Sequence, residues 1–281
     1  MKKRKLLSSA LLLLTVLGLA GCGPSTAASD EPDEEKDYTI EVTEDIQDIV
    51  EQGYLTVGVK TDVPGLGYYE QETETYSGLE IELACQIAGK LFEVEPEQAM
   101  EDGLVRFEPV TVENREDKLE VGEVDLLLAT YTITAERQEI FAFSEPYYSD
   151  YIGIMVKKEQ TDKNSLGSRG ITSVQKLDGK KVGVAKDADT RDHMLRYFRQ
   201  RSYNISPYFM EYAGYEQLYR ALKEGSIDAF AVDVSILNGY VDDTLVILPD
   251  RFAQQQYGAA AVQERQGLID AVNVVIEEYG Y

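Results

Sequence analysis

The chain has 281 residues, enough for one large domain or two modest domains that each bury a core. Its 51 acidic residues outnumber 27 Lys and Arg, giving a formal net charge of -24, which excludes nucleic acid as a partner because nothing offsets phosphate repulsion. The hydrophobic content of 43% is typical of a folded globular protein. With one His and two Cys, we expect neither a metal nor a cofactor.

The N-terminus carries the features of a secretory signal peptide, which we predict over residues 1–21. A basic segment at residues 2–5 precedes an apolar stretch that is too short for a convincing membrane anchor. The stretch ends in Leu-Ala-Gly-Cys, residues 19–22, which resembles the bacterial lipobox. That resemblance implies that Cys22 becomes lipid-modified and tethers the acidic chain to a membrane. Ordinary cleavage beside an incidental Cys is the alternative.

Residues 22–44 are acidic, contain Pro and small residues and lack apolar periodicity, so we predict a disordered tether. An alternation of strands and helices follows, which indicates an α/β layer with a largely parallel sheet. In its first helix Cys85 falls on the apolar side and is expected to be a buried, inert thiol. The predicted elements are strand 54–59, helix 80–92, strand 105–110, helix 113–121 and strand 124–130.

The alternation restarts after residue 148 and predicts a second α/β unit of similar size. A last group of elements, ending in helix 264–277, is too small to fold alone and is expected to return to the first unit. We therefore predict lobe 1 over residues 45–148 and 242–281, lobe 2 over residues 149–241, and two crossovers between them. The elements of the second unit are strand 180–185, helix 190–200, strand 207–212, helix 215–224 and strand 226–232.

Ligands of open α/β sheets bind beyond the carboxyl ends of the strands, so the residues just past each strand are the candidate contacts. Two of them carry opposite charges and come from different lobes. Arg137 starts a short helix, and its planar guanidinium suits a carboxylate, although a surface charge is the alternative. Asp233 ends a strand, and a helix cap is its alternative role. The segments past the strands are 60–62, 130–132, 187–190 and Asp233.

Five stretches carry a family resemblance: LTVGVKTDVPGLGYY, YSGLEIELACQIAGKL, NREDKLEVGEVDLLLATYTITAERQEIFAFSEPYY, LDGKKVGVAKDADT and LYRALKEGSIDAFAVDVSILNGY. They cover most of residues 54–262. In order and spacing they resemble the bacterial extracellular solute-binding proteins, family 3, which deliver polar amino acids to ABC importers. The resemblance implies an α/β, two-lobed, type II periplasmic-binding-protein fold, with two hinge crossovers and a ligand cleft between the lobes.

The resemblance also implies roles for individual residues. Arg137, with Thr132, would bind the ligand α-carboxylate, and Asp233, with the carbonyl of Thr130, would bind the α-ammonium group. The loop before helix 190–200 would contribute contacts from its last residues, Asp189 and Thr190. Two further cations would sense the ligand side chain, and they favour a second carboxylate and hence glutamate or aspartate. These cations are Lys60 and Arg115, and a solvated charge on helix 113–121 is the alternative role of Arg115.

One loop departs from the family pattern. Where the family has Gly, Ser or Thr, this chain has Asp187, Ala188 and Asp189. Their carboxylates would repel a second anion, although acidic residues favour the start of a helix. Either these side chains point away from the cleft, or the ligand is less anionic than glutamate.

The function implied is capture of a free amino acid by a monomeric receptor that passes it to an ABC permease without chemistry on the ligand. We expect an open, ligand-free form in which Arg137 and Asp233 are hydrated and apart, closed by the ligand in proportion to its preference for the closed state. Two alternatives stay open. One is a sensory or orphan receptor, and the other is a dehydratase-like enzyme on the same fold.

Overall fold

The computed structural model of the chain describes residues 38–162 and 170–281. The predicted signal peptide, Cys22 and most of the predicted tether lie outside the described residues. The first half of the described chain contains, in order, α1 (Glu44–Gln52), β1 (Leu55–Val59), β2 (Asp62–Val63), β3 (Gly67–Glu70), β4 (Thr75–Ser77), α2 (Leu79–Phe92), α3 (Pro96–Glu101), β5 (Val105–Pro109), α4 (Arg115–Glu120), β6 (Leu126–Leu128), α5 (Ala135–Gln138) and β7 (Phe141–Phe143).

The second half begins with a long strand and ends with a long helix. Short 3-10 turns at Lys158–Thr161 and Val174–Leu177 flank the undescribed residues 163–169. The remaining elements are β8 (Tyr148–Lys157), β9 (Lys181–Ala185), α6 (Thr190–Gln200), β10 (Tyr208–Tyr212), α7 (Tyr215–Glu224), β11 (Ala229–Asp233), α8 (Val234–Tyr240), β12 (Leu245–Ile247), β13 (Phe252–Tyr257), β14 (Ala260–Val262) and α9 (Gln266–Tyr279).

The first sheet has the strand order β5-β1-β6-β14-β7. Strand β1 pairs in parallel with β5 and β6, as the alternation of strands and helices predicts, while β14 pairs antiparallel with β6 and β7. The apolar faces of α2 and α9 are buried, and Cys85 on α2 is among the buried side chains. Burial raises the pKa of its thiol to about 11, so it is protonated and unreactive near neutral pH.

The second sheet has the order β10-β9-β11-β8-β12, and β13 also pairs with β8. The strands β9, β10 and β11 are parallel, and the ten-residue β8 runs antiparallel to β11, β12 and β13. Two sheets of this kind, built from two consecutive runs of strands and helices, form the two lobes.

The predicted boundary at residue 242 differs from the strand pairing. Strands β12 and β13 pair with β8 and therefore belong to the second sheet, and only at β14 has the chain returned to the first sheet. The return crossover thus lies between Tyr257 and Ala260. The sequence pattern identifies β12 as a strand. It cannot show that β12 pairs with the long strand β8, because that pairing is not local.

Two features near the N-terminus are absent from the sequence interpretation. Helix α1 begins at Glu44, inside the predicted tether, and buries Ile46 and Ile49. The carboxylate of Asp45 accepts a hydrogen bond from the backbone N–H of Leu268 at 2.9 Å, which fixes α1 to the start of α9. Strands β2, β3 and β4 form a separate antiparallel sheet of three strands.

Within the part of the chain that the structure describes, none of the helices combines the length and apolarity needed to span a bilayer.

Candidate functional site

A small enclosed cleft lies between the lobes, beyond the carboxyl ends of β5, β6, β9 and β11. Its cavity volume is about 30 Å³, room for about one water molecule and far too little for an amino acid, so a ligand needs the lobes to separate first. All the predicted ligand contacts except Lys60 line it. The lining residues are Val112, Arg115, Thr130, Thr132, Arg137, Ile152, Ala188, Asp189, Thr190, Tyr215, Val232, Asp233 and Gln255.

Arg137 is held in position mainly by lobe 1. Its side chain is only 12% exposed, and Nη1 donates to the carbonyl of Thr132 at 2.9 Å. Its backbone N–H donates to the Thr134 hydroxyl, which caps the short helix α5 and sets where the side chain departs. The guanidinium also stands over the ring of Tyr131 at 4.4 Å and lies 3.4 Å from Glu116. Arg137 is therefore a partly buried, oriented cation and not the solvated surface charge that was its alternative role.

Asp233 faces the cleft and does not cap the helix that follows it. It occupies the position before α8, but its side chain makes no capping hydrogen bond. The backbone N–H of Ser235 donates instead to Asp150 on β8 at 2.8 Å. The carboxylate of Asp233 accepts a hydrogen bond from the Tyr257 hydroxyl at 2.5 Å. The helix-cap role considered for Asp233 is thus wrong, and its carboxylate is available to a ligand.

Burial is the main influence on the ionisation of Asp233. The side chain is buried, and desolvation raises the pKa of its carboxyl to about 7. The hydrogen bond from Tyr257 opposes this rise, the charge of Asp150 adds to it, and the charge of Arg115 opposes it to the smallest extent. A cation placed beside Asp233 would favour the ionised form, which is the behaviour expected of an ammonium acceptor.

Thr130 sits on a strained turn that a buried acid supports. Its φ of 46° lies in the left-handed region, which is unfavourable for a β-branched residue. Its backbone N–H donates to Glu80 Oε1 at 2.6 Å, and the hydroxyl of Tyr147 donates to the same oxygen at 2.6 Å. Glu80 on α2 is completely buried, which raises the pKa of its carboxyl. These hydrogen bonds hold Thr130 against the cleft.

Thr132 links lobe 1 to a strand of the second sheet. Its hydroxyl donates to Gln255 Oε1 at 2.9 Å, and the Gln255 side chain donates in turn to the carbonyl of Ala253. Gln255 lies on β13, directly before the return crossover. The Thr132 hydroxyl is thus engaged by Gln255, and its carbonyl by Arg137, in this form of the protein.

The two predicted side-chain sensors occupy different environments. Arg115 lines the cleft and is buried, donates to the carbonyl of Ala129 at 2.8 Å and stands over Tyr131 at 4.5 Å, while its Nε has no hydrogen-bond partner. Burial, together with the charge of Arg137, lowers its pKa. Lys60 is also buried but does not line the cavity: its ammonium group pairs with Asp62 at 3.0 Å.

Tyr215 is the cleft residue that lies next to Lys60. It lines the cleft from the start of α7, and the ammonium group of Lys60 stands 5.0 Å from its ring centroid. Burial of Lys60 lowers its pKa, and the partner Asp62 opposes that shift. Lys60 therefore lies one side chain behind the cleft wall, and its charge is already matched by a carboxylate.

The two acids of the loop that departs from the family pattern point in different directions. Asp187 has a φ of 59° and lies 3.6 Å from Lys186, and it does not line the cleft. Asp189 does line the cleft, and its carboxylate lies 3.5 Å from Nη2 of Arg137. Thr190 is buried at the first position of α6. One of the two acids therefore points away from the cleft and the other faces it.

The lobes are closed on each other in the structure. The Arg137–Asp189 pair joins the lobes, and so does an ion pair between Lys186 and Glu113 at 2.6 Å. Opposite charges on the two walls give the closed arrangement a source of stability that the sequence interpretation did not consider.

A larger hollow of about 630 Å³ adjoins the cleft and shares Thr132, Arg137, Asp189 and Gln255 with it. We call this hollow the vestibule. Its walls add four acids and two basic side chains to the shared residues. These are Glu116, Glu136, Asp187, Asp192, His193 and Arg196.

Sequence reasoning misses several residues that line the cleft or hold its side chains. Tyr215 begins a helix, Gln255 and Tyr257 lie on the crossover strand, and Glu80 lies in the first turn of α2, so none directly follows a strand of the βαβ pattern. An acid at the apolar helix position of Glu80 is the one signal that a sequence reader could have used. Within residues 38–162 and 170–281, the acids, His and Cys form no group of three or more able to hold a metal ion.

The model of the bacterial extracellular solute-binding proteins, family 3, matches residues 55–278. The chain belongs to this family. The family resemblance seen in the sequence is thereby confirmed. Members of the family bind solutes for transport and are not enzymes. This chain is likewise a solute-binding transport protein and not an enzyme.

Curated relatives match over most of the chain. An ABC transporter glutamine-binding protein, GlnH of Bacillus subtilis, is 29% identical over 279 residues, which cover 98% of this chain and 92% of the relative. A glutamate-binding protein, GluB of Corynebacterium glutamicum, is 26% identical over 238 residues, covering 81% of this chain and 74% of the relative.

Solved structures share the fold. A periplasmic binding protein of an ABC transporter from Brucella ovis, with glutathione bound, has a TM-score of 0.73 at 25% identity and covers 85% of this chain and 73% of that one. An ancestral arginine-binding protein bound to arginine has a TM-score of 0.67 at 27% identity, covering 81% and 92%. The predicted two-lobed, type II periplasmic-binding-protein fold is confirmed. The relatives differ in the ligands that their names give.

Proposed function

We propose that this solute-binding protein captures an acidic amino acid, glutamate or aspartate, for an ABC importer by closing its two lobes around it. The observation that carries the ligand class is Arg115, a buried guanidinium at the cleft whose Nε lacks a hydrogen-bond partner. A buried cation without its full set of acceptors is costly, and a ligand carboxylate would remove that cost.

The main-chain groups of the ligand would use the other charges. A free amino acid carries a carboxylate and an ammonium group, and Arg137 on lobe 1 and Asp233 on lobe 2 supply one partner for each. Thr130 and Thr132 would add hydrogen bonds from lobe 1, and the backbone N–H groups of Asp189 and Thr190 would add them from the start of α6. Because Lys60 is paired with Asp62, we assign it a supporting electrostatic role and leave the direct contact to Arg115.

Glutamine is the second candidate. A relative that is 29% identical is named for glutamine, and the carboxylate of Asp189 faces the cleft, where it would disfavour a second negative charge on the ligand. The two candidates differ in what they offer Arg115: glutamate would pair a negative charge with the guanidinium, whereas glutamine would offer only a neutral oxygen.

Calorimetric titration of the purified full chain with glutamate, aspartate, glutamine and arginine tests the proposal. We expect glutamate or aspartate to bind at least about tenfold more tightly than glutamine, since 1.4 kcal/mol corresponds to a factor of ten. Tighter binding of glutamine selects the second candidate. Binding of arginine alone contradicts both.

We further propose that the receptor acts as a monomer at the outer face of the cell membrane, held there by lipid on Cys22 and presenting the closed lobes to a permease. With a formal net charge of -24, the chain would not be held at a membrane by attraction to anionic lipid, so the anchor would have to be covalent. Cys22→Ser should move the protein from the membrane fraction to the soluble fraction. Unchanged membrane retention of that variant would contradict the anchor without affecting the ligand assignment.

A further inference from the structure

The carboxylate of Asp189 occupies the place on Arg137 that a ligand carboxylate would need. It lies 3.5 Å from Nη2, in a cavity of only about 30 Å³. On the lobe 1 side the same guanidinium is already engaged by the carbonyl of Thr132 at 2.9 Å and by Glu116 at 3.4 Å. The lobe 2 side of Arg137 is therefore where ligand and Asp189 meet.

We propose that Asp189 is a built-in competitor of the ligand: it closes the cleft on Arg137 when no ligand is bound, and a ligand carboxylate must displace it. The proposal rests on the proposed function in one respect, namely that the ligand presents a carboxylate to Arg137. A closed, ligand-free population reduces the apparent affinity in proportion to the fraction of molecules that it occupies.

The vestibule can accommodate the Asp189 side chain when it leaves Arg137. Its side chain is 51% exposed and lies at the border between the cleft and the vestibule. His193 and Arg196, on the helix that begins directly after Asp189, line the same vestibule. Rotation of Asp189 away from Arg137 would bring its carboxylate toward these basic side chains without leaving it unpaired in a buried site.

Asp187 provides a matched control within the same loop. It carries the same charge, its side chain is 54% exposed, and it also borders the vestibule, but its carboxylate faces Lys186 and does not line the cleft. Asp189→Asn and Asp187→Asn therefore remove the same charge two residues apart. Only the first removes a partner of Arg137.

The test uses the full chain in three forms: wild type, Asp189→Asn and Asp187→Asn. Closure without ligand is measured by energy transfer between dyes on cysteines introduced at the exposed positions Glu74 in lobe 1 and Arg201 in lobe 2, and glutamate binding by calorimetry. We expect Asp189→Asn to lower the ligand-free transfer and to bind glutamate about 2- to 5-fold more tightly, the range for a partly exposed ion pair whose loss shifts the closed population. Asp187→Asn should change binding less than about twofold.

Equal transfer in all three ligand-free proteins would overturn the proposal, and so would weaker glutamate binding by Asp189→Asn than by Asp187→Asn. If the wild type binds none of the tested amino acids, the proposed function fails. The transfer measurement without ligand still decides in that case whether Asp189 closes the cleft.

Discussion

The two walls of the cleft carry opposite charges. Lobe 1 contributes the cations Arg115 and Arg137, whereas lobe 2 contributes the acids Asp189 and Asp233. The cations reach the cleft on long side chains steadied by backbone carbonyls, while Asp233 is a short side chain fixed at a strand end by a tyrosine hydroxyl. A zwitterion would therefore be oriented with its carboxylates toward lobe 1 and its ammonium group toward lobe 2.

The strongest test of the positive wall is Arg137→Ala. We expect the affinity for glutamate to fall at least about 30-fold, because truncating one partner of a desolvated, hydrogen-bonded charge pair costs about 2–5 kcal/mol. Calorimetry measures the loss. Arg199→Ala is the control, since that arginine is exposed on α6, lines neither the cleft nor the vestibule, and should change affinity little. Equal losses in the two variants would remove Arg137 from the site.

The matching test of the negative wall is Asp233→Asn, for which we expect a loss of about 30- to 100-fold. The amide keeps the shape of the side chain but cannot balance the charge of a ligand ammonium group. Asp192→Asn in the vestibule removes an exposed acid and serves as the control. Affinity that survives in Asp233→Asn would mean that the ammonium group is bound elsewhere.

Arg115→Gln tests whether Arg115 distinguishes an acidic ligand from a neutral one. We expect a loss of about 10-fold or more for glutamate and a much smaller loss for glutamine, because only glutamate pairs a charge with Arg115. The glutamine side chain can still donate toward the carbonyl of Ala129, and thermal unfolding checks that the variant is folded. Equal losses for both ligands would show that Arg115 supports the wall without reading the ligand.

A smaller effect concerns pH. Since burial raises the pKa of Asp233 to about 7, about a tenth of the ligand-free protein has this carboxylate ionised at pH 6 and about nine tenths at pH 8. Binding of an ammonium group needs the ionised form, so affinity should rise about tenfold between these values. Asp233→Asn should abolish this rise. A flat profile in the wild type would contradict the role of this carboxyl.

The same shift has the opposite sign for stability without ligand. In the unfolded chain the carboxyl titrates near 3.8, so between about pH 4 and pH 7 the folded state binds more protons than the unfolded state. The contribution of Asp233 to the free energy of unfolding is therefore largest below about pH 4 and decreases as pH rises to about 7.

Much of the fold follows from the sequence because local pattern determines it. The apolar strands and amphipathic helices of both lobes appear within a few residues of their predicted bounds, as in helices α6 and α7, which begin at the predicted residues. Pairing between distant strands is not local. The assignment of β12 and β13 to the second sheet, and the docking of α1 by Asp45, depend on edges and partners far away in the chain.

The candidate site divides in the same way. The rule that ligands meet the ends of parallel strands finds Thr130, Asp189 and Asp233, but it cannot show that Asp150 caps α8 in place of Asp233 or that Glu80 supports Thr130. Side-chain partners of this kind depend on rotamers and on contacts between elements. The pairing of Asp189 with Arg137 across the lobes belongs to the same class.

A crystal structure of the full chain bound to glutamate would show which lobe binds each charged group of the ligand. We expect the ligand α-carboxylate within hydrogen-bond distance of the Arg137 guanidinium, the ammonium group beside the Asp233 carboxylate, and the side-chain carboxylate toward Arg115. A ligand with both main-chain groups bound to one lobe, or with its carboxylates toward lobe 2, would contradict the account.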